Sequence, residues 1–184
     1  RNRDIVAGGQ GAPLVPAFHQ RFFSSSTKNR IIINIGGISN LTYLRINHQL
    51  IGFDCGPGNL LLDHWVQKNK NKSYDNQGKW ARTGKIIPKL LTNFLKEPFF
   101  QRKLPKSTGR DLFNSTWLEN FDHKNENPED VQRTLLELTA LSISMAINKY
   151  CNGVDEIFIC GGGSKNLFLK NRLEQLTSQK VNDT

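Results

Sequence analysis

The sequence predicts a layered α/β fold, a sheet packed against crossover helices. Three observations carry that expectation. Three short runs, RIIINIGG (30–37), NLTYLRI (40–46) and LIGFDCG (50–56), follow one another with only glycine or Asn-His-Gln turns between them. β-Branched enrichment and alternation mark such runs as strands, and the short connections make them an antiparallel meander. Later, DEIFIC (155–160) reads as a buried strand and passes through GGGS into an amphipathic helix, after a long helical stretch at 127–150. Strands interleaved with helices form an α/β layer, whose ligands usually bind at strand ends.

Each element has its own signal. DIVAGGQGAPLVP (4–16) is a short strand-like run and a turn-rich loop, and AFHQRFF (17–23) supplies one or two helical turns. SSSTKN (24–29) is a loop and the best domain boundary. NLLLDHWVQKN (59–69) has helical apolar spacing, with Asn59 expected as its N-cap. A helix follows Pro88, and PKSTGRDLFN (105–114) is a turn leading into another. In NPEDVQRTLLELTALSISMAINKY, Asn127 can cap, Pro128 suits the first position, and Glu129 and Asp130 suit the positive end. Val131, Leu135, Leu138 and Met145 recur near helical spacing and predict its buried face. KNLFLKNRLEQL (165–176) is the last expected helix, and no closing strand is expected beyond it.

Composition narrows the function. The 184 residues are 37% hydrophobic and 22% charged, the balance of a globular domain, and no apolar run approaches the roughly 20 residues of a membrane span. The net charge of +9 raises nucleic acid as a partner, but the basic residues are scattered and the densest run, KNKNK (68–72), is interleaved with asparagine. A solvated basic surface is the expectation, without nucleic acid or membrane. Three cysteines without a CxxC spacing suit a reducing cytoplasm, and the four histidines have no ligand spacing, so a His/Cys metal site is not expected.

Three glycine turns and one carboxylate carry the chemistry. In NIGGISN (34–40), Gly36 and Gly37 allow positive φ and bring N–H groups toward a phosphate, or simply make a tight hairpin. In FDCGPGN (53–59), Gly56 and Gly58 precede a helix N-terminus, a favourable place for an anion. Asp54 in that turn is either a structural cap or a group that handles a proton or orients a magnesium-bound water. In CGGGSKN (160–166), Gly161, Gly162 and Gly163 leave a strand for a helix and give a flat floor for a purine, or only a generous turn. Neither the P-loop spacing nor GxGxxG is present. Lys106 and Arg110 can meet a carboxylate or phosphate or can pin a loop, and Gln10, between glycines, can face a sugar or a turn. Trp65, Trp80 and Trp117 are expected in the core rather than as sugar platforms.

In this order the turns resemble the sugar kinase, hsp70 and actin superfamily. More closely, AGGQGAPLVPAFHQ, NIGGISNLTYL, GFDCGPGNLLLDHW, PKSTGRDLFN, DVQRTLLELTA and CGGGSKN, spread from residue 7 to residue 166, resemble the anhydro-N-acetylmuramic acid kinases. The resemblance implies an actin-like ATPase (ribonuclease H-like) domain, with a mixed sheet flanked by helices and incomplete at both ends. Residues 1–28 would be the tail of an N-terminal domain with a linker, and residues 29–184 a second domain truncated at its C-terminus. It implies a cytoplasmic kinase of peptidoglycan recycling. With ATP and Mg2+ it would phosphorylate 1,6-anhydro-N-acetylmuramic acid and open its anhydro bond, giving N-acetylmuramic acid 6-phosphate.

Asp54 maps onto the family's proposed base. Gly36, Gly37, Asn40, Gly56, Gly58 and Asn59 would hold phosphates, and Gly161, Gly162 and Gly163 adenosine. Gln10 and Arg110 stand as the candidate sugar contacts. Cys55 stands where the family usually has Thr, which weakens any hydroxyl contact there. The partners are ATP and the amino sugar, with the exposed helices offering a surface for a homodimer. Without the family's first phosphate loop, the 184 residues alone are expected to show little kinase activity. The rival expectation is a non-catalytic nucleotide- or sugar-binding module of the same fold.

Overall fold

The structure is a computed structural model that describes residues 15–184, with side chains from His19 onward. Helix α1 (Val15–Phe23) leads into the meander β1 (Arg30–Ile35), β2 (Ile38–Leu44) and β3 (Ile51–Pro57). Then come α2 (Leu60–Lys70), α3 (Pro88–Leu95), α4 (Ser115–Glu119) and α5 (Pro128–Tyr150). Strand β4 (Glu156–Cys160), helix α6 (Leu167–Thr177) and strand β5 (Val181–Asp183) complete it. The sheet order is β3-β2-β1-β4-β5, with the first three strands antiparallel and β4 parallel to both β1 and β5. The sheet is therefore mixed, as expected.

Alternation along the strands gives the sheet two different faces. Ile31, Ile33, Ile35, Leu41, Phe53, Cys55, Ile157 and Ile159 point into the main core, where α5 and α6 lie. There Tyr150 of α5 meets Phe53 edge-on, with ring centroids 5.2 Å apart. The opposite face carries Ile32, Asn34, Asn40, Thr42, Asp54 and Phe158. Helix α1 covers part of it: His19 Nδ1 lies 2.9 Å from Thr42 Oγ1, and Phe23 packs 6.2 Å from Phe158.

Several local expectations change. The strand β5 was not expected; its three residues gain strand geometry only by pairing with β4. Val131, Leu135 and Leu138 are buried, but Met145 is 41% exposed, although Ala146 and Ile147 beside it are buried. Asn127 precedes α5, yet its side chain donates to Asp130 Oδ2 at 3.3 Å instead of accepting from the helix; its backbone carbonyl takes the first N–H groups. Asn59 likewise gives no side-chain cap to α2. Trp65 and Trp117 are in the core, as expected. All three cysteines are free, and burial pushes the Cys151 thiol up to about 12.

Candidate active site

The three glycine turns meet at one end of the sheet. The β1–β2 turn presents its carbonyls to the start of α2. Gly58 N–H donates to Gly37 O at 2.9 Å, Asn59 N–H to Gly36 O at 2.8 Å and Leu60 N–H to Gly37 O at 3.1 Å. This corrects one expectation: Gly36 and Gly37 do not use positive φ. At the start of α2 the Leu60 N–H is already satisfied by the Gly37 carbonyl. The N–H groups of Gly36 and Gly37 themselves have no hydrogen-bond partner among the described residues. They remain available to a phosphate.

Close packing explains the other glycines. A Cβ on Gly58 would sit 2.4 Å from Gly36 O. Gly56 lies at φ +150°, and a Cβ there would meet the Phe100 ring at 2.8 Å. Thr139 of α5 donates to Gly58 O at 3.1 Å, and Ser39 donates to Gly56 O at 3.1 Å, so the second turn is fastened on both sides. Gly161 takes φ +79°, and a Cβ on Gly163 would lie 2.4 Å from Ile35 Cγ2. Asn59 joins the turns: its Nδ2 donates to Ile35 O at 3.2 Å, and its amide borders Gly162 and Gly163.

Asp54 is at the end of β3, on the face away from the main core. It sits opposite Asn40 on β2, Asn40 sits opposite Asn34 on β1, and Asn34 sits opposite Cys160 on β4. Directly opposed residues share a face with Cβ atoms about 5 Å apart, so these four form one polar row across the sheet. A β-bulge between Ser39 and Asn40 sets the register of that row. Asp54 is only 5% exposed. Burial raises its pKa, while the Thr108 N–H, 2.9 Å from Oδ2, and the Lys106 charge pull it down. Asn40 is 8% exposed, and its Oδ1 is buried with no hydrogen-bond partner among the described residues. Such orphaned acceptors are rare and call for a ligand or a water.

Beside the third turn lies a cleft of about 450 Å³, lined by Asn59, Asp63, Tyr74, Gly162, Lys165 and Asn166 among others. That volume is in the range of small-molecule sites. Asp75 shapes its wall by accepting from the Trp80 and Ala81 N–H groups at 2.9 and 2.8 Å. Asp63 was not singled out from the sequence, although it stands one helical turn after Asn59. Burial pushes its carboxyl up to about 6. Lys165 and the 73–77 loop were missed for want of any local signal, since folding alone brings them to Gly162. Arg110 is exposed on the loop after Thr108 and is not drawn into the row by any hydrogen bond from its guanidinium. Gln10 lies outside the described residues.

Comparison with known proteins follows this geometry. The family model described as anhydro-N-acetylmuramic acid kinase matches residues 1–184. Proteins carrying that name are 51% identical over 98% of the chain in Nitrosospira multiformis and 53% identical over 96% in Shewanella oneidensis. The chain covers 50% and 48% of those proteins, so it spans about half the length of the curated relatives it matches. Among solved structures, the xylulose kinase of Lactobacillus acidophilus aligns over 92% of the chain and 37% of its own, with TM-score 0.53 and 13% identity. An activator of 2-hydroxyisocaproyl-CoA dehydratase from Clostridium difficile, solved with ADPNP, aligns over 86% of the chain and 55% of its own, with TM-score 0.53 and 16% identity. At such identities these two show the fold alone, that of the actin-like ATPases.

Proposed function

The chain belongs to the anhydro-N-acetylmuramic acid kinase family, and from that premise we propose that it supplies the nucleotide cleft and the general base for phosphorylating 1,6-anhydro-N-acetylmuramic acid. The reaction opens the anhydro ring by hydrolysis and yields N-acetylmuramic acid 6-phosphate, a step of cytoplasmic peptidoglycan recycling. Residues 29–184 act as the second actin-like domain of the family's full-length protein.

One observation carries the reading: a buried carboxylate, Asp54, shares a polar row with Asn40, whose Oδ1 has no partner among the described residues, at the end of the sheet where the three glycine turns meet. Asp54 takes the proton of a water that attacks the anomeric carbon. The bond from that carbon to the 6-oxygen breaks, and the freed oxygen attacks the γ-phosphorus as ADP leaves. A carboxylate whose pKa is raised by burial, as that of Asp54 is, is a better base than a solvated one. Asn40 Oδ1 accepts a hydrogen bond from the water or from a sugar hydroxyl and holds it in line. The Gly36 and Gly37 N–H groups receive phosphate oxygens, and the cleft beside Gly162 takes the adenosine, with Asp63 within reach of the ribose.

Magnesium needs little from the protein, since it keeps waters and phosphate oxygens and takes only one or two carboxylates. Asp54 would meet that metal through one of its waters rather than as a direct ligand, and bound magnesium would neutralise phosphate charge. Phosphoryl transfer otherwise depends on positioning.

The test joins this chain to the complementary half of the Shewanella oneidensis relative and follows ATP-dependent phosphorylation of the anhydro sugar. Activity is expected, with at least about a 10²-fold loss in Asp54→Asn. A folded, nucleotide-binding protein with equal turnover in both forms would overturn the assignment of Asp54. Nucleotide binding without any turnover would favour the non-catalytic binding module.

A further inference from the structure

We propose that the cleft between Lys106 and Lys149 binds a small oxyanion, a carboxylate or phosphate group, at a site separate from the Asp54 face of the sheet. The cleft holds about 90 Å³ and is lined by Phe100, Lys106, Ser142, Met145, Lys149 and Tyr150. It lies where the second half of α5 passes the outer edge of β3.

Lys106 is the unusual member. It is only 6% exposed, and its ammonium makes no ion pair or hydrogen bond among the described residues, although the Asp54 carboxylate attracts it from beyond contact distance. It lies against the Phe99 ring, whose centroid is 4.6 Å from Nζ. A ring face offsets part of the cost of burying a cation, but a buried charge normally needs a hydrogen-bonded partner. Lys149 brings a second positive charge to the same cleft, and its repulsion adds to burial in lowering the proton affinity of Lys106. Two like charges around one small cavity repel when it is empty of anions and both gain when one enters. The apolar rim of Met145 and Phe100 excludes water and strengthens that attraction.

Chain geometry separates this site from the one described above. Successive residues of β3 face opposite ways, so Asp54 looks to the polar row while Cys55 looks to the α5 side. The cleft is built on the α5 side, lined by Ser142, Met145, Lys149 and Tyr150 from that helix and its end. The two sites are nonetheless linked through one peptide unit, because Asp54 N–H donates to Lys106 O at 3.2 Å. An anion here is therefore not the group beside the reacting atoms, and its binding does not depend on the kinase reading.

The test uses the 184-residue chain. Inorganic phosphate and sodium acetate are titrated separately, against sodium chloride at constant ionic strength, while thermal unfolding and amide NMR shifts are followed. Saturable stabilisation is expected with phosphate, acetate or both, with shifts centred on residues 100–106 and 142–150. Lys149→Met, a surface change that leaves the fold alone, is expected to weaken binding about tenfold, and Lys106→Met to abolish it. A response that never saturates, or that chloride matches, is general salt stabilisation and overturns the proposal. Saturable binding that survives both substitutions places the ion elsewhere and overturns it too. The comparison of phosphate with acetate tells which oxyanion the cleft prefers.

Discussion

The backbone N–H of Thr108 donates to Asp54 Oδ2 at 2.9 Å, tying the carboxylate at the end of β3 to a loop 54 residues further along the chain. The loop is held in return, since Asp54 N–H bonds to Lys106 O at 3.2 Å. This clasp decides how readily Asp54 holds a proton. Burial favours the neutral acid, whereas the N–H and the Lys106 charge favour the carboxylate, and burial dominates.

Removing the Lys106 charge should therefore raise the Asp54 pKa further. Met in its place keeps the stem over Phe99 but loses the attraction for the carboxylate. In Lys106→Met the carboxyl carbon of Asp54, followed by 13C NMR, is expected to titrate at higher pH than in the wild type. An unchanged or lower midpoint contradicts the balance of causes stated here.

Asp63 predicts a pH dependence of stability. Its folded pKa, about 6, lies above the unfolded value of about 3.9. The folded state thus binds more protons between those values, so stability falls as pH rises through that window. Asp63→Asn should remove this loss. At pH 7 it is expected to stabilise the chain by about 1 kcal/mol, after discounting for solvent screening of a half-exposed group. Below pH 4 the difference should vanish. Urea unfolding of both forms across pH 4–7 measures this directly.

Gly163→Ala should damage the cleft without strain in φ. The added methyl would fall 2.4 Å from Ile35 Cγ2 and 2.5 Å from Ile35 Cβ, so the turn must move away from β1. Overpacking of this kind costs about 1–3 kcal/mol. Reduced stability with weaker binding of a fluorescent ATP analogue is expected. Wild-type affinity in the variant would remove the third turn from the nucleotide site.

Asn40 predicts an exchange of stability against function. Its Oδ1 makes no hydrogen bond, so Asn40→Leu relieves a buried polar atom at similar volume. The chain is expected to gain about 1 kcal/mol. In the chimera with the Shewanella relative, turnover should fall at least tenfold. A variant that is both less stable and fully active would show that Asn40 serves only the fold.

Much of the fold was legible because its signals are local. The β-branched run at 30–35, the alternation at 40–46 and the Pro128-led periodicity of α5 each announce an element within a few residues. The failures share a cause. Asn59 looks like a cap by its place before an apolar helix, yet its side chain donates to Ile35 O, and the Leu60 N–H finds the Gly37 carbonyl instead. Met145 continues the helical spacing, yet at that turn the buried positions are Ile143, Ala146 and Ile147. The residues of β5 have no strand pattern of their own and become a strand only against β4.

By itself the sequence determined the order of strands and helices, the glycine turns and the candidacy of Asp54, because each depends on residues adjacent in the chain. Only the tertiary structure decided which groups share a site. It set Asn34 and Asn40 in line with Asp54, brought Asp63, Tyr74 and Lys165 around Gly162, and placed Lys106 and Lys149 on one cleft. It also decided that Asp54 is buried. Burial and proximity depend on segments many residues apart folding over one another, and no short window of sequence contains that information.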